Sequence, residues 1–181
     1  MTISILISTQ LGDIHVELYP DQAPNTVANF LRYVDAGYYT EGKFWRTCVL
    51  DPDNQPNNEI KIEVIQATVR ADKEQQKFAP IALERTTVTG LRHLDGTISM
   101  ARFAPDSAQG DFFICINDQP SLDFGGMRNP DGQGFAAFGR VTSGMEVVKA
   151  INKSPLEAQT LIPPIVIQQI TRLGLPHTTS S

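Results

Sequence analysis

The sequence predicts a mainly β domain of about eight short antiparallel strands with two helices. Three observations predict it. Most apolar segments alternate at period two, only two stretches show helical spacing, and the segments are divided by loops rich in Gly, Pro, Asp, Asn and Ser. At 181 residues with 41% hydrophobic content the chain can bury one substantial core. No repeat, low-complexity tract or linker divides it, so residues 1–175 are expected as one domain and 176–181 as a short C-terminal tail.

The elements follow in order. Ile3, Ile5 and Ile7 alternate with Ser4, Leu6 and Ser8. Leu11-Gly12-Asp13 makes a turn, and Ile14, Val16 and Leu18 alternate with His15, Glu17 and Tyr19, which reads as a hairpin. Pro24 opens a segment in which Val27, Phe30, Leu31 and Val34 share one helical face before Gly37, predicting a helix over 24–36. KFWRTCV and KIEVIQATV read as strands on either side of DPDNQPNN, an exposed loop by composition. Residues 70–78 form another solvated excursion. TISMA, FFICI and FAAFGRV are three further strands, and Ile165 to Leu173 is the last. Ser143 with Glu146 forms a capping-box signature ahead of Val147, Val148 and Ile151, the stripe of a second helix.

Composition removes several functions. A net charge of −5 with no run of Lys and Arg argues against a nucleic-acid surface. The start, MTISILISTQ, has no basic leader, and no segment approaches the ~20 apolar residues of a membrane span, so no membrane partner and a cytoplasmic location are expected. Cys48 and Cys115, flanked by strand formers, read as buried free thiols.

Chemical motifs are equally sparse. His15, His93 and His177 are far apart, and none is spaced for a metal with another His or Cys. Neither a metal nor another cofactor is expected. Gly132-x-Gly134-x-x-Ala137 fits a dinucleotide fingerprint in form but precedes a strand instead of linking strand to helix. Ser99 and Ser121 have no evident base and no Gly-x-Ser-x-Gly elbow, so a nucleophile is not expected.

What remains is the stretch from Gly96 to Val141, whose long loops are of the kind that carry function, together with Arg46. Alternation along KFWRTCV places Arg46 on the face of Phe44 and Cys48, a poor position for a guanidinium unless that face opens on a cleft. A solvated strand position accounts for Arg46 at least as well on the residues alone.

GTISMA, FFI and FGRV, with Phe44-Trp45-Arg46, Gln66 and the helix segment APNTVANFLRYVDAGYY, resemble the cyclophilin family of peptidyl-prolyl cis-trans isomerases, most closely its bacterial members. The resemblance spans roughly residues 3 to 173. Periodicity leaves barrel and sandwich equally open; the resemblance implies a closed eight-stranded antiparallel barrel capped by two α-helices. It also implies a cofactor-free isomerase acting on proline-containing peptides and unfolded or folding proteins. A monomer is the default, since no coiled-coil or dimer stripe is present.

By family pattern Arg46 is the catalytic residue, and Gln66, Val64, Ala101, Arg102, Asp111, Phe113, Leu122 and Phe135 bind substrate. Such a site suits the reaction, whose barrier of ~18–20 kcal/mol arises from amide resonance and requires no bond to break. A fixed Arg beside an apolar proline pocket can stabilise the twisted amide. Of Phe112 and Phe113, the barrel interior needs at most one.

Several family positions are changed. Glu63-Val64 stand for Phe-Met, Ala67-Thr68 for a Gly pair, Ser121 for Trp or Phe, Phe135 for His, and Arg102 and Asp111 for Asn and Gln. A DPDNQPNN-type insertion also lengthens the spacing between Arg46 and Gln66. Four of these changes, Glu63, Ser121, Arg102 and Asp111, motivate a second reading, a proline-peptide binding module with weak or no turnover. A third is a partner protein that binds through the loops 51–59 and 117–134.

Overall fold

The computed structural model describes residues 1–174. The expected tail at 176–181 lies outside the described residues. Nine strands form one antiparallel sheet: β1 (Ile3–Thr9), β2 (Gly12–Leu18), β3 (Gly42–Cys48), β4 (Val64–Thr68), β5 (Thr97–Met100), β6 (Phe112–Cys115), β7 (Ala137–Ser143), β8 (Leu156–Glu157) and β9 (Thr160–Arg172). The order β1-β2-β7-β5-β6-β4-β3-β9 closes on itself where β9 pairs with β1. Eight strands therefore make a closed barrel without open edges, and the two-residue β8 is an addition hairpinned onto β9.

Alternate residues fill the interior. Ile5, Ile7, Ile14, Val16, Phe44, Ile65, Ala67, Ile98, Phe112, Ile114 and Phe138 belong to one buried cluster. Helices plug its two ends. On α1 (Pro24–Asp35), Phe30 packs 5.4 Å edge-on against Phe112 and 5.2 Å from Phe138, at the starts of β6 and β7. On α3 (Met145–Asn152), Asn152 donates to Thr47 Oγ1 at 2.9 Å and to Cys48 O at 3.0 Å, at the far end of β3. The first turn of α1 is capped from a distance: Glu84 Oε1 accepts from the Thr26 N–H and hydroxyl at 2.6 and 2.5 Å. Among the described residues, no helix is long and apolar enough to cross a membrane.

A β-bulge in β3 changes the reading of Arg46. Phe44 pairs with Ala67 and Arg46 pairs with Gln66, so Trp45 is the extra residue. Beyond it the facing parity is reversed. Phe44 points into the barrel, whereas Arg46 and Cys48 lie with Gln66 and Val64 on the outer face. The expected shared face of Phe44 and Arg46 is therefore wrong, because period-two alternation fails across an inserted residue.

Other boundaries differ for local reasons. The Ser143–Glu146 capping box does not form: the helix starts one residue later, with Gly144 as its N-cap at φ 99°, and Ser143 Oγ instead meets His15 Nδ1 at 3.1 Å. A side chain at residue 144 would bring a Cβ within 2.4 Å of Asp13 O, so glycine is required there. The last strand begins at Thr160, not Ile165, because its pairing with β3 jumps from Ile165 to Thr160 and loops out Pro163-Pro164, which lack ladder donors. Three short helical turns escaped the periodic reading, the 3₁₀ segments Ala71–Gln76 and Pro120–Leu122 and α2 (Thr86–Thr89). The loop DPDNQPNN is not wholly solvated either. Gln55 is 1% exposed and bonds Val49 O, Ile62 O and Ile62 N, a polar side chain buried because all of its groups are paired.

Candidate active site

The wall formed by β3, β4 and β6 is buried on both sides. Its inward residues belong to the barrel core, and its outward residues Cys48, Val64, Phe113 and Cys115 form a second apolar cluster with Ile62 and Leu122, against which Ala101 and Phe135 pack. Phe112 and Phe113 divide as expected, one to each cluster. Over the second cluster lies a cleft of about 390 Å³. All nine residues singled out in the sequence line it: Arg46, Val64, Gln66, Ala101, Arg102, Asp111, Phe113, Leu122 and Phe135. Trp45, Ile62, Phe103, Arg128, Asn129 and Pro130 complete it.

Arg46 is held from two sides by neutral acceptors. Its Nη1 donates to Gln66 Oε1 and its Nε to Gln159 Oε1, both at 2.9 Å, which leaves Nη2 without a hydrogen bond among the described residues in a side chain that lines the cleft. Gln159 was not legible in the sequence, since it lies on the β8–β9 turn 113 residues away. Gln159 is itself fixed: its amide donates to Asn54 O at 3.2 Å, and Asn54 bonds Thr47 O and Ala158 O. Trp45 lines the cleft with its indole Nε1 buried and without a hydrogen-bond partner among the described residues.

Phe113 forms an aromatic wall. Phe135 meets it edge-on at 5.6 Å, and behind it His93 stacks at 5.9 Å with a 13° interplanar angle. His93 is wholly buried between Asp123 Oδ1, 2.7 Å from Nδ1, and Ser99 Oγ, 2.8 Å from Nε2. The sequence reading that Ser99 lacks a base is thus overturned, because Asp123, His93 and Ser99 meet only through the fold. Ser99 is nevertheless 0% exposed, so its hydroxyl is shut off from the cleft, and its bond and that of Asp123 fix the His93 ring stacked behind Phe113.

Arg102 is a clamp. Its five N–H donors go to Gly134 O twice, Phe103 O, and both oxygens of Asp131, while its guanidinium sits 4.6 Å from the Phe135 ring centroid. With the side chain 1% exposed, no donor is left for a ligand. Its bonds, with that from the Gln133 N–H, hold the Asp131 carboxyl below its ordinary range. Asp111 accepts from Thr68 Oγ1 at 2.6 Å and lies 3.6 Å from Lys77 Nζ.

The insertion braces the cleft from outside. Arg128 Nη1 donates to Gln55 Oε1 at 2.7 Å and Ile60 O at 2.6 Å, joining the loops 51–59 and 117–134 to each other. Two of the changed positions do not enter the cleft at all: Glu63 Oε1 accepts from Asn117 at 3.0 Å, and Ser121 lies outside the lining. Burial raises the pKa of the thiols of Cys48 and Cys115.

Residues 4–172 match the family model for the cyclophilin type peptidyl-prolyl cis-trans isomerase. The chain is 33% identical over 177 residues to peptidyl-prolyl cis-trans isomerase cyp18 of Streptomyces antibioticus, covering 94% of this chain and 99% of that protein. It is 33% identical over 148 residues to peptidyl-prolyl cis-trans isomerase B of Escherichia coli, covering 81% and 82%. A solved cyclophilin type isomerase from Cryptosporidium parvum superposes with a TM-score of 0.74 at 21% identity, over 97% of this chain and all of that one, which speaks to the fold. A second structure of that protein, in the presence of the dipeptide Ala-Pro, gives 0.72 at 21% identity, over 95% and 99%. Barrel, cleft and kinship agree, and the chain belongs to the cyclophilin-type peptidyl-prolyl cis-trans isomerase family.

Proposed function

We propose that this isomerase accelerates X-Pro rotation in peptides and folding proteins, acting as a cytoplasmic monomer, with Arg46 as its catalytic residue. The observation that carries the reading is the Arg46 guanidinium, fixed by Gln66 and Gln159 at the edge of an apolar cleft. Val64, Ala101, Phe113, Leu122 and Phe135 receive the proline ring, and Gln66 and Asp111 offer polar contacts to the peptide backbone. Arg102 acts through the clamp on Gly134 and Asp131 instead of touching substrate. As the bond twists, the prolyl nitrogen regains its lone pair and Arg46 Nη2 donates to it or holds the prolyl carbonyl. A donor fixed beforehand in a partly desolvated cleft needs no reorganisation. Lowering the barrier by roughly 4–7 kcal/mol corresponds to about a thousand- to a hundred-thousand-fold in rate.

The binding-module reading rested on four changed positions. Glu63, bonded to Asn117, and Ser121 do not line the cleft and Arg102 is internally saturated, which leaves Asp111 as its support.

The test is the cis-to-trans rate of X-Pro peptides at low temperature, where the uncatalysed reaction is slow. Wild type is expected to accelerate it and Arg46→Ala to lose about a hundredfold or more of that acceleration. Binding by folded wild type without acceleration would instead favour the module.

A further inference from the structure

Four charged side chains line the cleft, Arg46, Arg102, Arg128 and Asp111, and their partners are unequal. Arg102 is neutralised by Asp131 and Asp111 faces Lys77. Arg46 and Arg128 bond only neutral oxygens, those of Gln66, Gln159, Gln55 and Ile60. Among the described residues neither has a carboxylate partner. Two half-buried guanidinium groups thus share one cleft in a protein whose net charge is −5.

This arrangement is costly while empty, since like charges repel more strongly as water is excluded. Burial pulls the Arg128 pKa down; of its charged neighbours Cys48 pulls it up and Arg46, more weakly, pulls it down. The bonds already made also orient both groups. Arg128 Nε and Nη2 and Arg46 Nη2 make no hydrogen bond among the described residues, and both side chains line the cleft together with Ile62 and Val64. An anion seated there would relieve the repulsion and accept from donors that need little ordering.

We propose that Arg46 and Arg128 form an anion-accepting end of the cleft, and that the preferred ligand is an X-Pro peptide with a carboxylate within one residue of the proline. That such a ligand is also turned over rests on the isomerase reading; its tighter binding does not. Arg128 is then a specificity-determining residue, and the carboxylate comes either from an acidic side chain or from a chain terminus.

Peptide pairs decide it: Pro-Glu against Pro-Gln, Glu-Pro against Gln-Pro, and a C-terminal proline acid against its amide. Affinities are read by NMR titration of the full chain, and exchange rates on the same samples. At least one acid is expected to bind about tenfold tighter than its neutral mate at low salt. That ratio shrinks with added salt, falls toward one in Arg128→Gln, and is kept in part by Arg128→Lys. Which pair responds separates side-chain from terminal carboxylate. Ratios of one for all three pairs in wild type, or a preference that survives Arg128→Gln, would overturn the proposal. Should Arg128→Gln fail to fold, the wild-type ratios and their salt dependence decide. Acid preference without accelerated exchange would sink the isomerase reading alone.

Discussion

At the scale of the residue, the site depends on side chains that hold other side chains. Arg46 has a long stem and rotamer freedom, and two glutamines remove most of it before any peptide arrives. On the isomerase reading with Arg46 as its catalytic residue, Gln159 is a positioning residue. Gln159→Ala is expected to lower kcat by about tenfold while KM changes little, because the guanidinium is still present but less often correctly placed. Gln159→Glu should not rescue fully, since a carboxylate would pair with the guanidinium and draw its charge away from the cleft. Peptide exchange kinetics check both variants. Gln66 was legible beforehand because its place in a strand motif marks it. Gln159 was not, because hydrogen-bond partners separated by 113 residues leave no local trace. The buried Asp123–His93–Ser99 relay was hidden for a different reason: His93 and Ser99 are only six residues apart, but the ring meets the hydroxyl only because the chain turns into β5 between them, and Asp123 comes from a loop 30 residues from His93.

At the scale of the element, loops 51–59 and 117–134 act as braces. The loop from Asn129 to Phe135 is fastened by the Arg102–Asp131 pair. A carboxyl whose folded pKa is depressed contributes stability above its unfolded value and loses it as pH falls through the folded one. The clamp should therefore be intact from neutral pH down through the ordinary carboxylate range near pH 4 and release only below it. Amide shifts of Gly134 and Phe135 followed by NMR are expected to titrate at that low pH, and to lose the transition in Asp131→Asn. Elements with strong periodicity, such as the first hairpin and α1, were read almost to the residue. The bulge at Trp45 was not, and it alone reversed the facing of Arg46. Bulges are set by pairing with neighbours, here β4 and β9, and not by the composition of the strand that carries them. Gly144 defeated the capping box in a similar way, because its tight approach to Asp13 is a tertiary demand.

For the whole molecule, fold and site share the same three strands. Adjacent residues serve different layers: Phe112 fills the barrel and Phe113 walls the cleft. Phe112→Ala is expected to cost about 3–5 kcal/mol in urea unfolding. Phe113→Ala should cost less stability and more proline-peptide affinity; equal effects on both measures would contradict the division into two layers. The closed barrel itself was not legible from periodicity, which cannot tell closure from two stacked sheets; the pairing of β9 with β1 settles it. Closure also dictates who can be served. Because the cleft lies on the outer wall of a sealed cylinder and not in a lumen, a polypeptide can be taken up at its middle, with both flanks trailing away. On the isomerase reading, no terminus has to be threaded, and a proline deep within a nascent or half-folded chain is as approachable as one in a short peptide.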